Sequence, residues 1–367
     1  MAYESFIRPL LFLCDPESIH HTTLSVARII GNDPTLRAIL RRLYVIEDDR
    51  LRTNIGGIEF SNPVGLAGGF DKNGLAVQGM ASVGFGSVEV GSVSAHPSKG
   101  NPVRPRLFRA PDDEAIVVYY GVPNDGSRAV ADRLAPFKLS VPLGINLVET
   151  NTGRPTDHEQ VIEELVLAAK PFLKIADYFT LNLNCPNTTA GKSPFDNPQN
   201  LGSLLAGYAA YEAMPPTFVK VVPTTKPETV DRTLEAIDPF PFVKGIAFGL
   251  PTGKPYTGLK TPAVQLDRMP GTLCGRPVRA LVDNSIRTWY PRMDTGRHVL
   301  IGAGGIFNAE DAYKKIRLGA SLVQLYTALI YRGPSLVKQI NQGLCRLMER
   351  DGLTHISEAV GLDARST

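Results

Sequence analysis

From residue 62 onward the chain alternates short, continuous apolar runs with longer stretches in which apolar residues recur at three- and four-residue spacing. Runs of this kind, rich in Val, Ile and Phe, read as strands buried on both faces, and the stretches between them as amphipathic helices that cover the sheet. Eight runs are legible, at 63–70, 87–93, 142–148, 178–184, 217–223, 245–250, 298–305 and 322–329, with helices expected at 74–83, 158–169, 228–237, 308–318 and 335–348. Eight parallel strands separated by helices predict an α/β architecture closed into a (β/α)8 TIM barrel. An open doubly wound sheet rarely needs that count and would begin with a GxGxxG turn, which does not follow the first run.

Two segments break the alternation. Residues 106–120 read as a β-hairpin inserted after the second strand, and 187–201 as a long Gly/Pro/Asn loop after the fourth. Residues 1–50 form an N-terminal helical extension of two or three short helices, the barrel is expected over 51–350, and 351–367 is a C-terminal tail. The extension fits either a cap over the barrel base or an interfacial helical pair, apolar on one side and turning Arg8, Arg28, Arg37, Arg41 and Arg42 toward anionic head groups.

Composition narrows the function classes. With 367 residues, 43% hydrophobic and 20% charged, the chain is enzyme-sized and globular, and a net charge of +3 is too small to argue for nucleic acid. Cys14, Cys185, Cys274 and Cys345 lie far apart, without a CxxC pair or a histidine at metal-ligand spacing, so neither a disulfide framework nor a metal site is expected. The N-terminus lacks the pattern of a secretory signal and the length of a spanning helix, and a cytoplasmic setting fits best.

In a barrel of this kind chemistry gathers at the C-terminal ends of the strands. The fourth run leads into Asn182-Leu183-Asn184-Cys185-Pro186-Asn187-Thr188, which sets a lone cysteine between amides. Cys185 is the candidate base, and Asn182 and Asn187 carry the donors and acceptors to orient a planar, carbonyl-rich ligand. A buried cysteine in ordinary turn chemistry is the competing reading. The first run ends in Ala67-Gly68-Gly69-Phe70-Asp71-Lys72, where glycines admit a flat ring and Lys72 reaches a carboxylate or a ring carbonyl. Lys220 stands in an otherwise apolar strand, where an unpaired cation is costly unless it faces the barrel mouth and stabilises negative charge on a reduced cofactor. Gly304 and Gly305 after the seventh run and Tyr326-Thr327 after the eighth occupy the usual phosphate position of the fold, and Asn146 adds an amide at the end of the third.

On these residues the chain resembles the dihydroorotate dehydrogenases, FMN-dependent (β/α)8 enzymes of pyrimidine synthesis. The likeness spans nearly the whole chain, and Arg8-Pro9-Leu10-Leu11-Phe12 with Pro105-Arg106-Leu107-Phe108-Arg109 resembles the membrane-associated, quinone-using class. It implies FMN held by Ala67, Gly68, Lys72, Ser92, Asn146, Asn182, Lys220, Gly275, Gly304, Gly305, Tyr326 and Thr327, a quinone as electron acceptor, and peripheral contact with the inner face of a membrane through residues 1–50.

The departures concentrate around the substrate. Where the quinone-using class has Asn-Arg-x-Gly-Phe-Asn, this chain has Val118-Tyr119-Tyr120-Gly121-Val122-Pro123; where it has Thr-Asn-Thr, this chain has Gly249-Leu250-Pro251; and Gly-Lys-Asn is replaced by Val148-Glu149-Thr150. That class generally carries serine at the position of Cys185, and the cysteine resembles the soluble class. Loss of two amides leaves polar groups of dihydroorotate unpaired, at about 1–3 kcal/mol each. The expectation is therefore a less polar substrate, oxidised at a CH–CH bond next to a carbonyl, with Lys72, Asn182, Asn187, Val118, Val122 and Leu250 around it and Cys185 and Lys220 as the catalytic pair. An authentic dihydroorotate dehydrogenase, an ene-reductase running the chemistry backwards and a catalytically silent flavin-binding protein are the alternatives.

Overall fold

A computed structural model describes residues 3–154, 157–184, 194–254 and 257–364. Eight strands run β1 (Val64–Asp71), β2 (Ser87–Val93), β3 (Leu143–Leu147), β4 (Tyr178–Asn182), β5 (Thr217–Val221), β6 (Val243–Phe248), β7 (Val299–Ala303) and β8 (Ala320–Leu325). Every neighbouring pair is parallel and the order closes β8 back onto β1, giving the expected (β/α)8 barrel. The strands are buried on both sides, β2 along its whole length, because barrel filling and helix packing claim opposite faces of the same residues.

Helices cover the barrel where the three- and four-residue spacing placed them, most closely at His158–Ala169, Pro227–Ile237, Ala309–Leu318 and Leu336–Arg350. The third of these starts where the Asn308 side chain accepts from Asp311 N at 2.8 Å, a cap for one of the unpaired N–H groups of the first turn. The helix expected at 74–83 is shorter than its pattern suggested, Val77–Ala81.

Four features differ from the sequence expectation. The eighth run is half strand and half helix: β8 ends at Leu325, and Thr327–Arg332 is helical, its apolar residues simply continuing through the boundary. The hairpin after β2, Leu107–Ala110 with Ala115–Val118, is part of a three-stranded antiparallel sheet whose third strand, Thr272–Gly275, comes from the excursion after β6. The segment expected as a loop to residue 201 is helical from Pro198, while Cys185 and Asn187 lie outside the described residues.

The N-terminal extension does not cap the barrel base. A separate hairpin, Thr53–Ile55 with Ile58–Phe60, closes that end, with Phe60 buried in one cluster with Tyr178, Phe218, Ile301 and Leu322 of the barrel strands. The extension instead runs along the side of the barrel as α1 (Pro16–Asn32) and α2 (Pro34–Tyr44), both opened by an aspartate cap and a proline. Gly79 of the helix after β1 lies so close to α1 that a Cβ there would stand 2.2 Å from Ala27 O, so small residues set the depth of this crossing. Arg8, Arg37 and Arg41 turn inward, to Tyr331 O at 3.1 Å, Gly31 O, and Ser140 Oγ at 2.9 Å respectively, and only Arg28 and Arg42 of the five keep exposed positions. Phe6, Leu10, Leu13, Ile29, Ile39 and Leu43 all stay solvent-exposed. Among the described residues no helix is long and apolar enough to cross a membrane.

Candidate active site

The C-terminal ends of the strands open onto one cavity. Ala67, Gly68 and Lys72 reach it from β1 and its turn, Ser92 from β2, Asn182 from β4, Lys220 from β5, Leu250 from the loop after β6, Gly304 and Gly305 after β7, and Tyr326 and Thr327 after β8. Val118 and Val122 enter from the hairpin and Gly275 from the third strand of its sheet. Asn146, expected at the same surface, is fully buried one layer below.

Each polar group is aimed by its neighbours. The buried Asp71 carboxylate accepts from Leu75 N at 2.9 Å and Ala76 N at 2.7 Å, and this folds the β1 turn so that Lys72 faces the cavity. Burial pushes the Asp71 carboxyl above its usual range despite those N–H groups. Lys72 donates to Gly69 O at 2.7 Å and lies 4.3 Å from the centroid of the Tyr120 ring. Asn182 and Lys220 are direct register partners on β4 and β5, so an amide and an ammonium emerge side by side.

The opposite end of the cavity is shaped by glycines. Gly275, Gly304 and Gly305 have φ of 113°, 109° and 72°, in the left-handed half of the map where side chains are disfavoured. A Cβ on Gly305 would collide with the Arg279 backbone nitrogen at 2.8 Å, and one on Gly275 with Glu114 O at 2.5 Å. These close approaches leave bare backbone facing the cavity beside Thr327, a cradle suited to an anionic group. Gly68 and Gly69 form a flat platform between the two ends, and Val118, Val122, Phe248, Leu250 and Pro251 make the wall across from it apolar. The arrangement fits a flat, hydrogen-bonding ring with a charged tail.

Several lining residues carry no sequence signal of their own. Gln324 lies within β8, where an amide in an apolar strand was the one available hint. Cys274 faces the cavity with its Sγ 3.6 Å from Thr327 Oγ1; burial pushes its thiol up to about 11, which keeps it protonated and a poor base. Tyr120 joins the cavity to α1: His20 lies 6.4 Å from it and 5.2 Å from Phe70, and Phe70 is 5.6 Å from Tyr326, a continuous row of rings.

The comparisons with known proteins agree with this geometry. The profile of the dihydroorotate dehydrogenase family matches residues 50–348. A dihydroorotate dehydrogenase (quinone) of Roseiflexus is 38% identical, with 98% of each chain covered, and those of Deinococcus deserti and Natronomonas pharaonis are 34% and 36% identical over 99% of this chain and the whole of theirs. The crystal structure of the Eimeria tenella enzyme in complex with ferulenol superposes with a TM-score of 0.83 at 28% identity, covering 96% of both chains. Full-length similarity at these identities establishes an oxidoreductase acting on CH–CH groups: the chain belongs to the dihydroorotate dehydrogenase family.

Proposed function

We propose that the protein binds FMN and oxidises a CH–CH bond next to a carbonyl, with dihydroorotate as the first substrate to consider and a quinone as the electron acceptor. The observation that carries this reading is the convergence of Lys72, Ser92, Asn182 and Lys220 on one side of a cavity whose other end is built from Gly275, Gly304 and Gly305. The names of the full-length relatives support dihydroorotate and quinone. When bound, FMN supplies the hydride acceptor. Gly304, Gly305, Gly275 and Thr327 would hold its phosphate, and Ser92, Asn182 and Lys220 the polar edge of its ring. Cys185 would take the proton from the carbon alpha to the substrate carbonyl while the adjacent carbon loses hydride, leaving a C=C bond. Asn182 and Asn187 would hold that carbonyl in place.

A second reading, a substrate less polar than dihydroorotate, is favoured by Val118, Leu250 and Pro251, which present methyl and methylene groups where a pyrimidine carboxylate would want amide donors. Anaerobic mixing of the FMN-loaded protein with dihydroorotate decides between them. Bleaching of the flavin within seconds supports dihydroorotate; a flavin that stays yellow with dihydroorotate but bleaches with an uncharged cyclic amide or enone precursor supports the second. Cys185→Ala protein that is reduced at the wild-type rate would remove Cys185 from the mechanism.

The exposed Phe6, Leu10, Leu13, Ile29, Ile39 and Leu43 support peripheral membrane contact by the extension, where a lipid-soluble quinone would reach the ring row of His20, Phe70 and Tyr326. Flotation with anionic vesicles that is lost on Leu10→Glu and Leu13→Glu substitution is the expected result.

A further inference from the structure

Beneath the cavity floor, inside the barrel, Glu89 of β2 gathers hydrogen-bond donors from three other strands. Asn146 Nδ2 donates to its Oε1 at 2.7 Å, and Thr180 Oγ1 and Gln324 Nε2 donate to its Oε2 at 3.0 and 2.8 Å. Glu89, Asn146 and Thr180 are fully buried, and the donors come from β3, β4 and β8, so a single carboxylate ties four strands together at one level. Gly68 lies between it and the cavity: a Cβ on that glycine would stand 2.5 Å from Glu89 Oε1 and 2.9 Å from Asn146 Nδ2.

The consequence is a direction imposed on every hydrogen bond above it. A carboxylate only accepts, so Asn146 must present its amide nitrogen downward and its oxygen upward. That oxygen then accepts from Ser92 Oγ, and with the Ser92 proton committed, Ser92 accepts from Asn182 Nδ2 at 2.9 Å. Gln324 likewise spends its nitrogen on Glu89 and retains its carbonyl oxygen for other partners. Three of the residues so oriented, Ser92, Asn182 and Gln324, line the cavity.

We propose that Glu89 is a positioning residue that fixes the donor and acceptor pattern of the cavity floor, and through it the affinity and reduction potential of the bound flavin. The inference rests on the FMN reading above. Replacing the carboxylate by an amide of the same shape sets a donor against Asn146 Nδ2 or against Thr180 and Gln324. Either Asn146 then reverses, which breaks the chain to Ser92 and Asn182, or Gln324 reverses and offers the cavity a donor in place of an acceptor.

The test compares Glu89→Gln, which keeps the shape, with Glu89→Asp, which keeps the acceptor-only chemistry. FMN affinity is read by fluorescence titration, midpoint potential by equilibration with a reference dye, and fold by thermal melting. For Glu89→Gln the expected result is FMN binding at least tenfold weaker and a tenfold change in the oxidised-to-reduced ratio, about 30 mV for a two-electron couple, with Glu89→Asp closer to wild type on both. Glu89→Gln protein with wild-type affinity and potential overturns the proposal, as does the reverse order of the two variants, which would make shape rather than polarity the requirement. Should Glu89→Gln fail to fold, Asn146→Leu, which cuts the chain from Glu89 to Ser92 and Asn182, carries the same test, and unchanged affinity and potential there also overturn it. Wild-type protein that takes up no FMN would sink the cofactor reading itself, an outcome distinct from all of these.

Discussion

Lys72 and Tyr120 form a pair at the cavity mouth, the ammonium 4.3 Å from the ring centroid, while the Arg106 guanidinium shares the same ring at 5.3 Å. The Tyr120 hydroxyl is buried with no hydrogen-bond partner among the described residues. Ring and hydroxyl therefore make opposite contributions. Tyr120→Leu removes the cation–ring contacts, worth about 0.5–2 kcal/mol each, and should weaken FMN or substrate binding by roughly threefold to thirtyfold in a titration. Tyr120→Phe keeps the ring and discards an unpaired buried polar group, so its melting temperature should equal or exceed that of wild type.

Val122 lies on the cavity wall with φ of 56°, a left-handed conformation that a β-branched side chain rarely adopts. Such a residue stores roughly 1–2 kcal/mol of strain. Val122→Gly, where backbone freedom in the unfolded chain offsets part of the gain, should leave stability within about 1 kcal/mol of wild type. Val122→Asn, a residue that tolerates this region, should raise it. Urea denaturation at equal protein concentration measures both.

The apolar wall predicts how substrate preference can be moved. Val118→Asn with Leu250→Asn returns two amides to the cavity, each worth about 1–3 kcal/mol when it pairs a buried polar group. kcat/KM for dihydroorotate should rise roughly tenfold or more in the double variant. An unchanged value would mean that these positions do not face the substrate.

His20 gives acid sensitivity a defined sign. Burial, then the charges of Lys72 and His21, push its imidazole down to about 3 from an ordinary value of 6.5. Between those values the unfolded chain binds a proton that the folded protein refuses, so stability is full above about pH 6.5 and falls as the pH drops toward 3, with a slope approaching about 1.4 kcal/mol per pH unit. His20→Leu should flatten that part of the stability profile in denaturant titrations run from pH 7 to pH 4. A profile that keeps its slope would place the sensitivity elsewhere.

Glu17 of α1 and Arg106 at the start of the hairpin form an ion pair in which both side chains are 5% exposed. Arg106 also donates to Lys99 O at 2.9 Å, so its position is fixed from the barrel side. Removing one member of a buried pair leaves the other charge stranded, at about 3–5 kcal/mol. Glu17→Ala should therefore loosen α1 from the hairpin, and the Glu17→Ala/Arg106→Met double variant should lose less than the sum of the single changes when all are compared by urea melts.

What the sequence made legible follows from what local patterns encode. The barrel strands announced themselves as unbroken apolar runs because both of their faces are buried, and glycines after β7 were readable because positive φ selects that residue. Lys220 stood out as a charge in such a run, and the structure brings it to the cavity beside Asn182. Glu89 was equally visible in β2 yet had no reading, since its meaning depends on Asn146, Thr180 and Gln324 arriving from three other strands. The strand Thr272–Gly275 was missed for the same reason: its partner lies more than 150 residues earlier. The inward turn of Arg8, Arg37 and Arg41 was hidden because helical periodicity assigns a face without saying what packs on it.

That distant pairing sets a condition on how this enzyme's selectivity drifts. Val118 is the register partner of Thr272, and the strand that Thr272 opens ends at Gly275. The excursion bearing Leu250 and the hairpin bearing Val118 are thus stitched into one sheet that spans from the apolar wall to the anion cradle. A side chain that shifts the hairpin also tugs on the cofactor's end of the chamber. New substrates are then reached most safely by paired exchanges across the seam, and single large replacements at Val118 should show their first defect as leakage of the cofactor rather than as altered choice of substrate.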